Sequence, residues 1–208
     1  NYFCNDLQVR GEYPSYARAY FENNGIEIEQ TAEELALIKE YTVDYLSFSY
    51  YMSTTVSIDP KHQDDKIQGN FFDGVKNPFL KSSEWGWEVD PVGLRLSLCD
   101  LYGRYGVPLY ISENGLGAID TPDENFVIND DYRIDYLEKH IAEMKKAVVL
   151  DGVDLIAYTP WGCIDLVSAS TGETAKRYGF VHVDKYDDGT GDLSRSKKDS
   201  FYWYKKVI

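Results

Sequence analysis

One glutamate of this chain lies where a strand would hold a reactive carboxylate rigidly. Glu113 follows the short apolar segment 107–112 and directly precedes Asn114 and Gly115. Such a segment is typical of a buried strand, and the turn residues after it mark the strand's carboxyl end. A carboxylate held there can act as a nucleophile or transfer a proton. The spacing also fits an exposed loop glutamate before an Asn-Gly turn, so both interpretations stay open at this point.

Strand and helix patterns alternate on both sides of Glu113. Runs of β-branched, aromatic and aliphatic residues predict strands at 43–51, 107–112 and 153–159, with an edge strand at 179–183. Capping residues and helical spacing of apolar residues predict helices at 14–23, 31–41, 90–105, 134–148 and 196–207. The second helix is expected to open with a capping box of Thr31 and Glu34 and to carry Leu35 and Ile38 inward, and the fourth to carry Val148 on its apolar face. Because each connection between successive strands can hold a helix, parallel βαβ connections are the simplest arrangement. The loops after the strands then meet at one edge of the sheet, where such folds build their sites.

The chain is too short to close a barrel of this type. Its 208 residues hold only three or four such strands, whereas an eightfold barrel usually needs ~250 residues or more. The length therefore predicts either a small open sheet or the back part of a barrel. The segment 52–84 reads as a long polar loop, and a loop of that length in a compact domain usually has a function.

The charge balance argues against two classes of partner. The chain carries 35 acidic and 21 basic side chains, a formal net charge of −14. Nucleic acids and anionic membrane surfaces attract clustered Lys and Arg, so neither is expected as a partner. No apolar run approaches the ~20 residues of a membrane span, and no signal peptide is recognised at the start. Since the first residue is Asn1 rather than Met, the chain is expected to begin partway through a gene product.

No sequence pattern predicts a metal or a cofactor. The cysteines lack the C-x-x-C or Cys/His spacing of zinc sites and are expected to be free, buried thiols in a reducing cytoplasm: Cys4, Cys99 and Cys163. The three histidines are scattered along the chain, and no Gly-rich nucleotide loop is present.

The segment from Tyr110 to Gly115 resembles the nucleophile motif of glycoside hydrolase family 1, in which an apolar pair and a Thr or Ser precede Glu-Asn-Gly. Further segments match that family in the same order and at similar spacing: Ser49-Tyr50-Tyr51, 85–94, Trp161, and Lys176-Arg177-Tyr178-Gly179 followed by Val183-Asp184. The resemblance covers nearly the whole chain, and five ordered matches argue against coincidence.

Membership of this family implies a (β/α)8 TIM barrel and a retaining mechanism, with two carboxylates about 5–5.5 Å apart across the scissile bond. Glu113 would attack the anomeric carbon, and Tyr51 would hydrogen-bond to Glu113 and hold it in line. Trp161 would stack beneath the sugar ring. For Tyr51 and Trp161, packing in the core is the alternative role. Ser49 stands where the family usually has Asn, so no role is assigned to it.

One departure from the family pattern concerns the substrate. Where many members carry Glu-Trp after the sugar-site tryptophan, this chain has Ser168 and Ala169. A Glu there would repel a phosphate, whereas Ser168, Lys176 and Tyr178 supply a hydroxyl, an ammonium and a phenol that can bind one. This set resembles the phosphate site of the 6-phospho-β-glycosidases, and Ala169 in place of Trp favours a 6-phospho-β-glucoside. The alternative is that Lys176 and Arg177 form a solvated basic pair.

The second carboxylate of the family lies in an Asn-Glu-Pro stretch, which this chain does not contain. Residues 1–208 therefore resemble the carboxyl-terminal portion of a single (β/α)8 glycosidase domain, with about its last three βα units. Such a fragment is expected to be inactive without the amino-terminal half of the same enzyme. Whether the enzyme forms a homo-oligomer stays open.

The resemblance implies hydrolysis of 6-phospho-β-D-glucosides by a cytoplasmic enzyme whose substrates arrive already phosphorylated. A 6-phospho-β-galactosidase and an unphosphorylated β-glucosidase are the enzymatic alternatives. Because the proton donor is absent from the chain, a non-catalytic sugar-phosphate-binding module is kept as an alternative of another class.

Overall fold

The computed structural model describes residues 2–62, 66–67 and 73–208. In this part of the chain the helices are α1 (Tyr2–Arg10), α2 (Ala17–Asn23), α3 (Ala32–Glu40), α4 (Pro91–Tyr105), α5 (Asp131–Val149) and α6 (Asp199–Val207), with a 3-10 turn at Pro60–His62. The strands are β1 (Leu46–Ser49), β2 (Lys66–Ile67), β3 (Gly74–Val75), β4 (Lys81–Ser82), β5 (Glu88–Val89), β6 (Leu109–Asn114), β7 (Leu155–Pro160), β8 (Val181–Val183) and β9 (Arg195–Lys197).

Three parallel strands form the central sheet, in the order β1-β6-β7. The chain passes through α4 between β1 and β6 and through α5 between β6 and β7. The predicted parallel βαβ arrangement is therefore confirmed, and the fold is of the α/β class. The three strands end at Ser49, Asn114 and Pro160, so the loops that follow them leave the same edge of the sheet.

The core lies between this sheet and the helices α4 and α5. Leu94 and Leu98 of α4 are buried against Leu109 and Ile111 of β6, and Ala147 of α5 joins the same cluster. Burying a Leu or Ile side chain completely contributes roughly 1.5–3 kcal/mol each. This packing fixes the strand that carries Glu113 against the two crossover helices.

Capping residues set the ends of α4 where the sequence predicts them. The Asp90 side chain accepts a hydrogen bond from the Gly93 N–H at 2.9 Å, and Pro91 occupies the first turn. Gly106 ends the helix in the left-handed region at φ 64°, a conformation that glycine adopts without a Cβ clash.

The first helix, α1, is not predicted by the sequence. Its only buried residue is a charged one, Asp6, which accepts hydrogen bonds from Arg104 at 2.7 Å and from Tyr105 at 2.7 Å. These partners lie almost a hundred residues away in the chain, so no local sequence pattern predicts the helix. The next helix, predicted from Pro14, begins at Ala17.

The capping box of α3 is confirmed, but its inward face is not. Thr31 and Glu34 exchange the two expected hydrogen bonds, at 3.1 and 2.7 Å. Leu35, predicted to point inward, is 37% exposed, and no residue of α3 is buried. The helix lies against the end of α1 rather than on the sheet, with Lys39 Nζ donating to the Arg10 carbonyl at 3.0 Å.

Short strands account for most other differences. The loop predicted at 52–84 contains the two-residue strands β2, β3 and β4, which are too short for a periodic pattern to show. Strand β4 pairs with β5, which lies beyond this segment. Residues 63–65 and 68–72 of the segment lie outside the described residues. The strand predicted at 179–183 is shorter in the structure, where β8 begins at Val181. The last helix, predicted from Ser196, begins at Asp199 because β9 pairs antiparallel with β8. At the end of α5, Val148 is exposed rather than buried.

The cysteines are free but not buried as predicted. Cys4 and Cys163 are exposed and Cys99 is half-buried. Among the described residues, no helix has both the length and the apolar character to cross a membrane.

Candidate active site

Strand β6 continues two residues beyond its predicted end and includes Glu113 itself. The backbone carbonyl of Glu113 accepts a hydrogen bond from the Tyr50 N–H at 2.9 Å. Its side chain is half-buried, and its Oε2 accepts a hydrogen bond from the Tyr51 hydroxyl at 2.8 Å. The interpretation of Glu113 as an exposed loop residue is therefore wrong.

Tyr51 is held as a hydrogen-bond donor to Glu113. Burial and the hydrogen bond to the Glu113 carboxylate both raise the pKa of the Tyr51 phenol, which keeps it protonated. Its ring packs edge-on against Trp87 at a centroid distance of 5.6 Å and against Tyr178 at 6.3 Å. These contacts fix the direction from which the hydroxyl approaches the carboxylate.

A buried amide ties the ends of β1, β6 and β7 together. Asn114 Nδ2 donates to the Tyr50 carbonyl at 2.7 Å and to the Tyr136 hydroxyl at 3.0 Å. The Tyr158 hydroxyl donates to Asn114 Oδ1 at 2.9 Å, and the Tyr136 hydroxyl donates to the Tyr51 carbonyl at 3.0 Å. The peptides beside Tyr51 and Glu113 are thus fixed by groups that the sequence analysis did not single out.

Helix α5 places a buried histidine under this network. The His140 ring stacks on Tyr136 at a centroid distance of 3.9 Å, and its Nδ1 lies 2.7 Å from the Tyr136 carbonyl oxygen. Burial lowers the pKa of His140 to about 4, because the charged imidazolium would lose its solvation there.

We expect acid to destabilise the fold through His140. The unfolded chain binds a proton on this histidine near pH 6.5, whereas the folded chain binds it only near pH 4. Its contribution is therefore fully present above about pH 6.5 and is lost as the pH falls toward 4, by about 2 kcal/mol between pH 7 and pH 5. Urea unfolding at the two pH values measures this difference. His140→Phe should remove most of it. An unaltered pH dependence in His140→Phe would contradict the assignment.

The structure brings Ser168, Lys176 and Tyr178 together in one group, here called the anion clamp. All three side chains belong to buried residues. Burial raises the pKa of the Tyr178 phenol to about 12, and the nearby Ser168 hydroxyl opposes that shift. The Lys176 ammonium lies 5.9 Å from the centre of the Tyr178 ring and 3.6 Å from that of Trp87.

Lys176 is a buried ammonium that aromatic faces surround. It is 1% exposed, and in the described part of the chain its Nζ has neither a hydrogen bond nor an ion pair. Burial lowers the pKa of Lys176, and the nearby Glu173 carboxylate opposes that shift. Arg177 is also buried, so the alternative of a solvated basic pair is wrong. A buried cation with unused donors favours an anionic ligand.

The loop after Glu113 touches the anion clamp directly. A Cβ at Gly117 would come within 2.8 Å of the Lys176 side chain and 2.9 Å of the Tyr178 ring, so this approach requires glycine. The backbones of Ala118 and Arg177 also exchange two hydrogen bonds of 2.9 Å. The clamp and the carboxylate are therefore held by one continuous piece of structure.

Trp161 lies beside the same loop. The backbone N–H of Trp161 donates to the Asn114 carbonyl at 2.8 Å, and a Cβ at Gly115 would come within 3.3 Å of the Trp161 Cβ. The Trp161 side chain is half-buried at the carboxyl edge of the sheet. An aromatic ring at this place is suited to pack against an apolar face of a ligand.

The amino-acid sequence of this chain matches a known protein family and several of its members. The model of glycosyl hydrolase family 1 matches residues 1–208. The aryl-phospho-beta-D-glucosidase BglH of Bacillus subtilis is 55% identical over 206 residues, which cover 99% of this chain and 44% of that protein. The 6-phospho-beta-glucosidase AscB of Escherichia coli is 49% identical over 208 residues, covering 100% of this chain and 43% of that protein.

The chain is also similar to solved structures of beta-glucosidases. The beta-glucosidase from Thermotoga maritima in complex with castanospermine superposes with a TM-score of 0.78 at 29% identity, covering 99% of this chain and 43% of that one. The chain thus spans less than half the length of the relatives it matches. With a match along its whole length, the chain belongs to glycosyl hydrolase family 1.

Proposed function

We propose that this chain is the carboxyl-terminal part of a retaining 6-phospho-β-glucosidase. The observation that carries the proposal is the buried Lys176 of the anion clamp, whose ammonium has neither a hydrogen bond nor an ion pair within the described residues and which packs against Gly117 in the loop after Glu113. Relatives at 49–55% identity are named aryl-phospho-beta-D-glucosidase and 6-phospho-beta-glucosidase. Both the local chemistry and these names support a phosphorylated glucoside as the substrate.

In the proposed reaction, a Glu113 oxygen attacks the anomeric carbon as the bond to the leaving-group oxygen breaks. The result is a covalent glycosyl-enzyme, which water then hydrolyses with release of the Glu113 carboxylate. The leaving group needs a proton, which we assign to a carboxylic acid outside this chain. The Tyr51 hydrogen bond at 2.8 Å holds the other carboxylate oxygen, so that Oε1 is directed to the sugar.

The anion clamp is proposed to bind the 6-phosphate. Lys176 supplies a charge that burial leaves poorly solvated, so pairing with a phosphate is favoured more strongly than it would be at the surface. Ser168 and Tyr178 supply hydroxyl donors beside it. Trp161 is proposed to pack beneath the sugar ring between the phosphate and Glu113.

The test compares the intact protein on matched 4-nitrophenyl β-glucosides with and without a 6-phosphate, and on the 6-phosphorylated galactoside. We expect efficient hydrolysis of the phosphorylated glucoside alone. Equal rates with and without the phosphate would overturn the phosphate assignment, and a preference for the galactoside would overturn the sugar assignment. Binding of the phosphorylated sugar without any turnover would favour the non-catalytic module.

We also propose that the amino-terminal part of the same protein closes the sheet into a (β/α)8 barrel. In the described residues, β1 and β7 pair on one side only. Ile156 of β7 is 55% exposed, and a largely apolar groove of about 520 Å³ beside β7 is lined by Ile164, Phe180 and Tyr204, among others. Edges and faces of this kind are normally covered by further strands and helices.

The 208-residue chain alone is therefore expected to self-associate and to leave the phosphorylated glucoside uncleaved. Circular dichroism and light scattering on the isolated chain measure its folded content and its size. Supplying the amino-terminal part as a separate polypeptide is the control, and it should yield a defined complex. A stable, soluble monomer of the isolated chain would contradict the open-barrel proposal.

Replacing Tyr51 by Phe in the intact protein should lower kcat by about 10–100-fold, since the carboxylate loses the group that orients it. The phenyl ring keeps its packing against Trp87 and Tyr178, so the fold should be unaffected. Steady-state kinetics on the phosphorylated glucoside measures the effect. Tyr45→Phe, at an exposed tyrosine near β1, is the matched control. An unchanged kcat in Tyr51→Phe would assign Tyr51 to packing only.

A further inference from the structure

A buried ion network lies behind the anion clamp. Lys198, at the start of α6, is fully buried, and its Nζ lies 2.7 Å from Asp165 Oδ1 and in contact with Asp120 Oδ2. Asp165 belongs to the segment before the clamp, and Asp120 to the loop after Glu113. One ammonium therefore joins the last helix to both of the loops that build the site.

The network holds the backbone on both sides of Tyr178. The Gly179 N–H donates to Asp165 Oδ1 at 2.9 Å, and the Lys198 N–H donates to the Phe180 carbonyl at 3.0 Å. On the other side, Arg133 Nη2 donates to the Arg177 carbonyl at 2.9 Å.

Arg133 is part of the same network. Its guanidinium donates to Asp120 at 3.0 Å and to Asp130 at 2.8 Å. Since Asp120 also contacts Lys198, the two peptides that flank Tyr178 are fixed by one set of connected charges. The residue next to Arg177 in the chain is Lys176, so the same bonds limit the position of the clamp ammonium.

Stability alone does not explain this network. Taking several charges out of water costs several kcal/mol each, and well-packed apolar residues often stabilise a core as well or better. What charged groups add is direction: Asp165 and Arg133 each bond to a particular backbone atom of the clamp segment, and Lys198 and Asp120 connect these two residues. The network is therefore better suited to hold geometry than to raise the free energy of unfolding.

Lys198 occupies a place that could otherwise suit a metal ion. Asp120, Asp165 and His182 bring ligand atoms within 4.8 Å of one another. The Lys198 ammonium, however, contacts both carboxylates. The chain thus provides its own cation there.

We propose that Lys198, with its partners Asp165 and Asp120, is a positioning residue that sets the phosphate selectivity of the anion clamp without touching the substrate. This inference rests on the proposed function. It assigns to the N-cap residue of α6 a role in recognising the 6-phosphate.

The experiment uses Lys198→Met in the intact enzyme, which keeps the length of the side chain and removes its charge. We expect the ratio of kcat/KM for the phosphorylated over the unphosphorylated 4-nitrophenyl glucoside to fall by about 10–100-fold, mainly through KM for the phosphorylated substrate. Lys206→Met, at an exposed position of the same helix, is the control and should leave the ratio unchanged. A parallel loss on both substrates, with the ratio unchanged, would show a merely structural role and overturn the proposal.

Asp165→Asn covers the case in which Lys198→Met does not fold, because the amide oxygen can still accept from Gly179 while the charge is removed. It should lower the same ratio, and an unchanged ratio in this soluble variant would equally overturn the proposal. Lys176→Met, measured alongside, separates the two levels of inference. If Lys176→Met lowers the ratio but the network variants do not, only the positioning role fails. If Lys176→Met leaves the ratio unchanged, the phosphate site fails and the positioning role fails with it.

Discussion

Replacing Glu113 by Gln in the intact protein should lower kcat on the phosphorylated glucoside by about 10⁴-fold or more, the scale found when a nucleophile is removed from an active site. The amide has nearly the same shape and its oxygen can still accept from Tyr51, so the packing around β6 should persist. It cannot, however, form the glycosyl ester. The loss should appear in kcat and kcat/KM together, because the missing interaction belongs to the chemical step.

Covalent trapping makes this prediction independent of turnover. A 2-fluoro glucoside carrying the 6-phosphate and a good leaving group should add one sugar mass to the unaltered protein, on the peptide containing Glu113, and nothing to Glu113→Gln. Glu138→Gln, at an exposed position of α5, is the matched control and should be trapped normally. Persistent labelling of Glu113→Gln would remove Glu113 from the role of nucleophile.

The second large effect is expected from Lys176→Met. It should reduce kcat/KM for the phosphorylated glucoside by about 10²–10³-fold, corresponding to roughly 3–4 kcal/mol for a buried charge that pairs with the ligand. The ammonium lies 3.6 Å from the Trp87 ring centre, and Lys176 as a whole residue is 1% exposed, so water cannot readily replace the charge. Without the ammonium, the phosphate would have only the neutral hydroxyl donors of Ser168 and Tyr178 in the anion clamp.

The unphosphorylated glucoside provides the internal control for Lys176→Met. Its kcat/KM should change little or rise, since the buried charge no longer has to be accommodated without a partner. Lys145→Met, at an exposed position of α5, should affect neither substrate. An equal loss on both glucosides would mean that Lys176 supports the fold around Trp87 rather than the phosphate.

Local sequence information predicts the strand of Glu113 and the helix that follows Asp90 well. Both depend on neighbours in the chain: an apolar run that ends in turn residues, and a cap followed by proline. Ser168, Lys176 and Tyr178 belong to a motif whose first and last members lie ten positions apart, so a single loop can bring them together. These parts of the site follow from interactions that are short in sequence.

Other features depend on groups that are far apart in the chain. Asp6 is buried because Arg104 and Tyr105 pair with it, and nothing near position 6 indicates this. Leu35 looks like a core residue by its spacing, yet it is exposed because α3 lies outside the sheet layer. Spacing tells which residues share a helical face, but not whether another element covers that face.

The amino-acid sequence alone is enough to predict the α/β class, a carboxylate at the end of a strand, and a hydroxyl, an ammonium and a phenol for the anion clamp. That the Lys176 ammonium has neither a hydrogen bond nor an ion pair among the described residues, and that Lys198 joins α6 to the loops of Asp120 and Asp165, follows from the three-dimensional packing alone. A strand or a helix cap is stabilised by residues a few positions apart, so a local pattern can predict it. The solvation and pairing of a buried charge, in contrast, depend on every element that packs around it.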